Sequence, residues 1–152
     1  MDKALQKHIE NHLPEYIEDL KILCRQPSVA AQNYGVFECA ELVKDMFVSI
    51  GFNTKIIETG DPHYPIVYGD HEGTSSRELL FYNHYDVQPA EPLDLWDSPP
   101  FEPKERDGRI YARGVSDDKG HLIARIAALK AIKDVRGKLP CREKIVVEGA
   151  EE

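Results

Sequence analysis

His84-Tyr85-Asp86 follows directly on the apolar run Leu79-Leu80-Phe81-Tyr82. In extended backbone, residues two apart face the same way, so the imidazole and the carboxylate can enter one pocket. Imidazole is a good zinc ligand, and a ligating histidine needs a partner that fixes its tautomer and orientation. Asp86 is placed for that task. A second group, Asp117-Asp118, opens a strongly periodic stretch. There one carboxylate can span two cations and lower their mutual repulsion, which gives metal to Asp117 and the helix cap to Asp118. A third group, Glu151-Glu152, follows a β-branched run over 144–148. Paired acids at a strand tip repel unless a cation lies near, and one can ligate metal while the other takes a proton from water.

Each group alone has an ordinary structural reading. His-x-Asp fits a surface turn, Asp117-Asp118 fits the positive end of a helix dipole, and Glu151-Glu152 fits an acidic cap. Their common placement is what raises them above that. All three follow a strand or open a helix at one edge of a sheet, and in open α/β sheets ligands bind beyond the carboxyl ends of the strands.

The elements that must hold these groups are legible from periodicity. Ile17, Leu20, Leu23 and Cys24 recur at helical spacing after Pro14, predicting a helix over 14–25 that Pro27 ends. Leu5, Ile9 and Leu13 share the period, which allows an earlier start with a kink at Pro14. A second helix is expected over 36–50, with Gly51 as its C′ residue. Three strands follow, at 54–58, 65–68 and 78–82. A Pro-rich loop covers 88–104, and Asp107-Gly108 leads into a brief strand at 109–111. A long helix over 119–135 turns Leu122, Ile126, Leu129 and Ile132 inward. The last strand is 144–148. Strands alternating with helices indicate an α/β layer fold with a largely parallel sheet. The chain reaches Glu152 just after a buried strand, which predicts an incomplete α/β domain over 1–152.

Composition excludes several classes. With 41% hydrophobic and 30% charged residues in 152, the chain has the makeup of a globular domain. A net charge of −8 argues against a nucleic-acid surface. No run approaches the ~20 apolar residues of a membrane span, and the amino terminus lacks the apolar core of a signal peptide. Cys24, Cys39 and Cys141 show no C-x-x-C spacing; Cys24 and Cys39 read as small buried hydrophobes in a reducing, cytoplasmic compartment.

Asn83-His84-Tyr85-Asp86-Val87-Gln88-Pro89, then Tyr111-Ala112-Arg113-Gly114 running into Asp117-Asp118-Lys119-Gly120, then Glu148-Gly149-Ala150-Glu151-Glu152 resemble one family in order and spacing. It is the co-catalytic zinc family of aminoacylase, glutamate carboxypeptidase, cytosolic dipeptidase/carnosinase, acetylornithine deacetylase and succinyl-diaminopimelate desuccinylase. The resemblance implies a three-layer α/β sandwich and two zinc ions per subunit, with cobalt or manganese as substitutes. It implies His84 as a ligand of one zinc and Asp86 as the acid that orients it. Asp117 resembles the bridging carboxylate, followed by a cis bond to Asp118. Glu151 resembles the general base, and Glu152 a ligand of the second zinc. Asn83 and Ala112 depart from the glycines common at those positions.

Tyr85 and Asp118 lean toward the dipeptidase side of the family, with a small peptide as substrate. The alternatives are an N-acyl amino acid deacylase, or a non-catalytic binding module. A catalytic zinc takes about three protein ligands plus water, more than these residues supply for two ions. The family places a further acid, a distant histidine and a lid domain that mediates homodimerisation beyond position 152. The expectation is therefore of weak zinc binding and no measurable hydrolysis by this piece alone.

Overall fold

The computed structural model describes residues 2–60 and 64–152. Its first element, α1 (Lys3–Arg25), is one continuous helix capped by the Asp2 side chain on the Ala4 N–H. Pro14 lies inside it without ending it. Pro14 and Glu10 are both exposed, so the carbonyl that proline leaves unpaired faces solvent. α2 (Val36–Ser49) follows, and Gly51 takes the left-handed conformation after it at φ 88°.

β1 (Asn53–Ile57), β2 (Ile66–His71) and β3 (Glu78–His84) come next. β4 (Lys104–Arg106) and β5 (Arg109–Tyr111) form a separate hairpin. Asp107 and Gly108, both at positive φ, make its two-residue turn. The charged β4 has no alternation to announce it and was not anticipated. α3 (Lys119–Arg136) ends at left-handed Gly137, and β6 (Arg142–Glu148) completes the order.

The main sheet has the order β1-β2-β6-β3. The α/β class holds, but the sheet differs from the largely parallel one expected. Only β3 and β6 run parallel; β1–β2 and β2–β6 are antiparallel. The reason is connection length. Parallel neighbours need a crossover of roughly a dozen residues or more, and only β3 and β6 have one, through α3. Short links join β1 to β2 and β2 to β3.

The core gathers Leu23 of α1, Cys39, Val43 and Phe47 of α2, and Leu122, Ile126 and Leu129 of α3 against Val67, Ile145 and Val147 of the sheet. Residues on the other face, such as Leu80 and Tyr82, are exposed. Helices thus cover one face, and the described residues form two of the three expected layers. Cys24, Cys39 and Cys141 are all buried and free. Among the described residues no helix is long and apolar enough to cross a membrane.

Lys119 is wholly buried, and its Nζ donates to the carbonyls of Leu23 at 3.1 Å and Gln26 at 2.7 Å. A cation thereby closes the negative end of α1 and ties it to the start of α3. Lys119→Ala removes that donor, strands two carbonyls and opens a void, and should cost about 3 kcal/mol. Chemical denaturation measures this; a loss within about 0.5 kcal/mol would contradict the tie.

Candidate functional site

The parallel register of β3 and β6 sets His84 beside Glu148. Past the named strands the ladder continues, with the Tyr85 N–H donating to the Glu148 carbonyl at 2.8 Å. Tyr85 is wholly buried, and its hydroxyl donates to the Pro65 carbonyl at 2.6 Å. A Cβ on Gly149 would stand 2.3 Å from that hydroxyl, so the chain beside Tyr85 has room only for glycine. On the other side Ser28, also buried, donates its hydroxyl to the Tyr85 carbonyl at 2.7 Å and accepts the Val87 N–H at 2.9 Å. With the tyrosine locked into the core, its neighbours His84 and Asp86 are held as well.

His84 is buried, with its two ring nitrogens in different company. Nδ1 lies 3.3 Å from Asp86 Oδ1 and 3.2 Å from the Asp86 carbonyl oxygen. Nε2 lies 3.0 Å from Asp117 Oδ1 and 3.9 Å from Glu151 Oε2. Asp86 is wholly buried, and its Oδ2 accepts the Glu152 N–H at 2.9 Å. Burial alone would push the His84 imidazole down; the carboxylates of Asp86, Asp117, Asp118 and Glu151 outweigh it and hold its pKa above the usual value.

His84, Asp117 and Asp118 each offer a ligand atom within 4.8 Å of the others. The Asp117–Asp118 peptide bond is cis. Asp118, expected as a helix cap, makes no side-chain cap bond to α3. Its Oδ2 instead accepts Asn83 Nδ2 at 2.5 Å, and its Oδ1 lies 2.6 Å from His121 Nδ1. Glu152 is not brought to the same point: its carboxylate accepts a hydrogen bond from Gln88 Nε2. The Glu148 carboxylate is taken by the Tyr82 hydroxyl, which that contact, with burial, pushes up to about 12. In the sequence Asn83 stands out only as a departure from the family's glycine, Tyr85 only as a dipeptidase-like residue and Gln88 only as part of the motif; none shows a structural role there. No spacing rule marks them, because their importance arises from contacts between distant segments.

Four carboxylates thus surround one imidazole, all with hard oxygen or nitrogen donors. That donor set fits a divalent cation, whose charge would offset the crowding of anions. His84 Nε2 and Asp117 Oδ1, with Glu151 close by, are the atoms that can hold it.

Residues 80–152 match the peptidase family M20/M25/M40. The chain is 33% identical, over 165 aligned positions, to the Cys-Gly metallodipeptidase of Schizosaccharomyces pombe, covering 100% of this chain and 34% of that protein. It is 37% identical over 108 positions to succinyl-diaminopimelate desuccinylase of Delftia acidovorans, covering 68% of this chain and 27% of that one. In fold it is similar to an M20 family metallo-carboxypeptidase from Sulfolobus solfataricus, with a TM-score of 0.84 and 35% identity over 89% of this chain and 30% of that one. The chain therefore spans about a third of the length of the proteins it matches.

The raised pKa of His84 gives two opposite pH trends. In the metal-free chain, charged His84 adds stability that is fully present below its unfolded value near 6.5 and is lost as pH rises through the higher folded value. A cation competes with that proton, so its affinity must increase over the same window. Thermal midpoints of the wild type and His84→Asn, taken without metal, should converge as pH rises from about 6.5. A difference that widens instead would contradict the reading.

Proposed function

The chain belongs to the M20/M25/M40 peptidase family, and from that premise we propose that it carries the catalytic edge of a two-zinc hydrolase acting on dipeptides or small peptides. The observation that carries this is the approach of His84 Nε2 to Asp117 Oδ1 at 3.0 Å, with Glu151 3.9 Å away, beyond the ends of two parallel strands. His84 and Asp117 would hold metal here, with Asp117 as the carboxylate that two ions would share. Glu152, whose carboxylate here accepts from Gln88 Nε2, would be a ligand of the second ion. Divalent zinc, when bound, lowers the pKa of water and polarises an amide carbonyl.

The chain's own residues do the rest. Asp86, buried and in reach of Nδ1, keeps the His84 ring oriented so that Nε2 faces the site. Glu151, half-exposed and near Nε2, is free to take the proton of the attacking water and hand it to the departing amine. Tyr85, fixed by Pro65 and Ser28, holds His84 and Asp86 on their shared strand end.

Residues 1–152 supply only part of the ligands for two ions, and the remainder is assigned to the portion that the longer relatives possess. The dipeptidase reading is favoured over deacylation because the alignment to a dipeptidase runs through the whole chain, whereas that to the desuccinylase covers 68% of it.

Joining this chain to the remaining portion of the S. pombe dipeptidase, about two thirds of its length, tests the proposal. The chimaera should cleave dipeptides in a zinc-dependent way and leave N-acyl amino acids largely untouched. Glu151→Gln should lower its kcat by on the order of 10³-fold with little change in KM. The 152-residue chain alone should show no turnover. Full activity in the Glu151→Gln chimaera would remove Glu151 as the base.

A further inference from the structure

His84 ends β3 and Asp117 precedes α3, so the short distance between them depends on how those two elements are held together. A partly buried polar path links them directly. Asn83, 5% exposed, donates through Nδ2 to Asp118 Oδ2 at 2.5 Å and accepts through Oδ1 from Arg125 Nη1. The same Arg125 nitrogen donates to the Tyr82 carbonyl at 2.9 Å, and the guanidinium lies 4.7 Å from the centre of the Phe81 ring. The His84 N–H points at Asp118 Oδ2 from 3.4 Å.

The direction of the path is fixed by chemistry. A guanidinium only donates and an ionised carboxylate only accepts, so the one amide between them must turn its oxygen to Arg125 and its nitrogen to Asp118. Both Asp118 oxygens then have partners, Asn83 on one and His121 on the other. That leaves Asp118 poorly placed to bind metal, although its distance from His84 and Asp117 would allow it.

We infer that Asn83 and Arg125 are positioning residues: they clamp the start of α3 to the end of β3 through Asp118, and so hold Asp117 against His84 for metal. The clamp rests on the reading of His84 and Asp117 as ligands. Holding Asp118 holds Asp117, its covalent neighbour, while Arg125, about two turns along α3, anchors the same Asn83 amide. Asparagine is required for this geometry. Glycine or alanine offers no bridge, and aspartate would set one carboxylate against another.

Zinc titration of the 152-residue chain, followed by calorimetry, and the visible spectrum of added cobalt test the clamp. Asn83→Ala and Arg125→Ala should each weaken zinc affinity by about tenfold and alter the cobalt bands. The double variant should be no worse than either single one by more than about threefold, because the two act in series. Asn83→Asp, which keeps the shape, should lose at least as much as Asn83→Ala. Zinc affinity within about twofold of wild type in Asn83→Asp and Arg125→Ala, with unchanged cobalt bands, would overturn the clamp.

Asp117→Asn separates the two claims: if it binds zinc as wild type does, the ligand assignment fails. A readout free of metal decides the clamp in that case and for any variant that folds poorly. In the wild-type chain the Asn83 side-chain amide protons should exchange slowly with solvent, and Asp118→Ala should release them. Fast exchange in the wild type would overturn the clamp whatever the metal does.

Discussion

The in-register parallel pairing of β3 with β6 is the constraint on which the site depends. A shift of one residue would turn every side chain on β3 to the opposite face, taking Phe81 off the helices and His84 away from Asp117 and Glu151. The register is protected on both sides of the site. Phe81 lies opposite Ile145 at the core, and the ladder extends through the Tyr85 N–H to the Glu148 carbonyl. Tyr85 adds a further anchor, since its ring occupies the space that Gly149 leaves open. The same pairing aligns the carboxyl ends of both strands, so the segment leaving β6 brings Glu151 toward His84.

The second constraint is electrostatic. Asp86, Asp117, Asp118 and Glu151 all act on His84, and burial opposes its charge. An arrangement of this kind is costly for a fold unless something cationic uses it. Nearby cations are committed elsewhere: Lys119 closes the end of α1, and Arg125 is engaged with Asn83 and the Tyr82 carbonyl. A divalent ion is the partner whose charge and ligand preference match what is left.

Much of this was legible in the sequence for identifiable reasons. The helices at 36–50 and 119–135 announced themselves by long apolar periodicity and by glycines at their ends, and the structure has them as Val36–Ser49 and Lys119–Arg136. The grouping of His84, Asp86, Asp117 and Glu151 followed from residue chemistry at strand and helix ends. Strand direction was less legible, because alternation of strands and helices was weighed above the short links between β1, β2 and β3. Pro14 misled for a related reason: its cost inside α1 depends on whether the freed carbonyl meets water, which no local pattern encodes. The Asn83 partner of Asp118 is hidden because it reaches across from β3, whereas a capping rule sees only α3, the helix that carries His121.

The central claim is that β3, β6 and the entry to α3 bring His84 and Asp117 to one cation. Anomalous diffraction from a zinc-loaded crystal of the chain tests this most directly. The account predicts a metal peak about 2.0–2.1 Å from His84 Nε2, with Asp117 as its neighbouring carboxylate and Asp118 turned to Asn83. A metal peak that avoids His84, or one coordinated by Asp118 with Asn83 displaced, would contradict it.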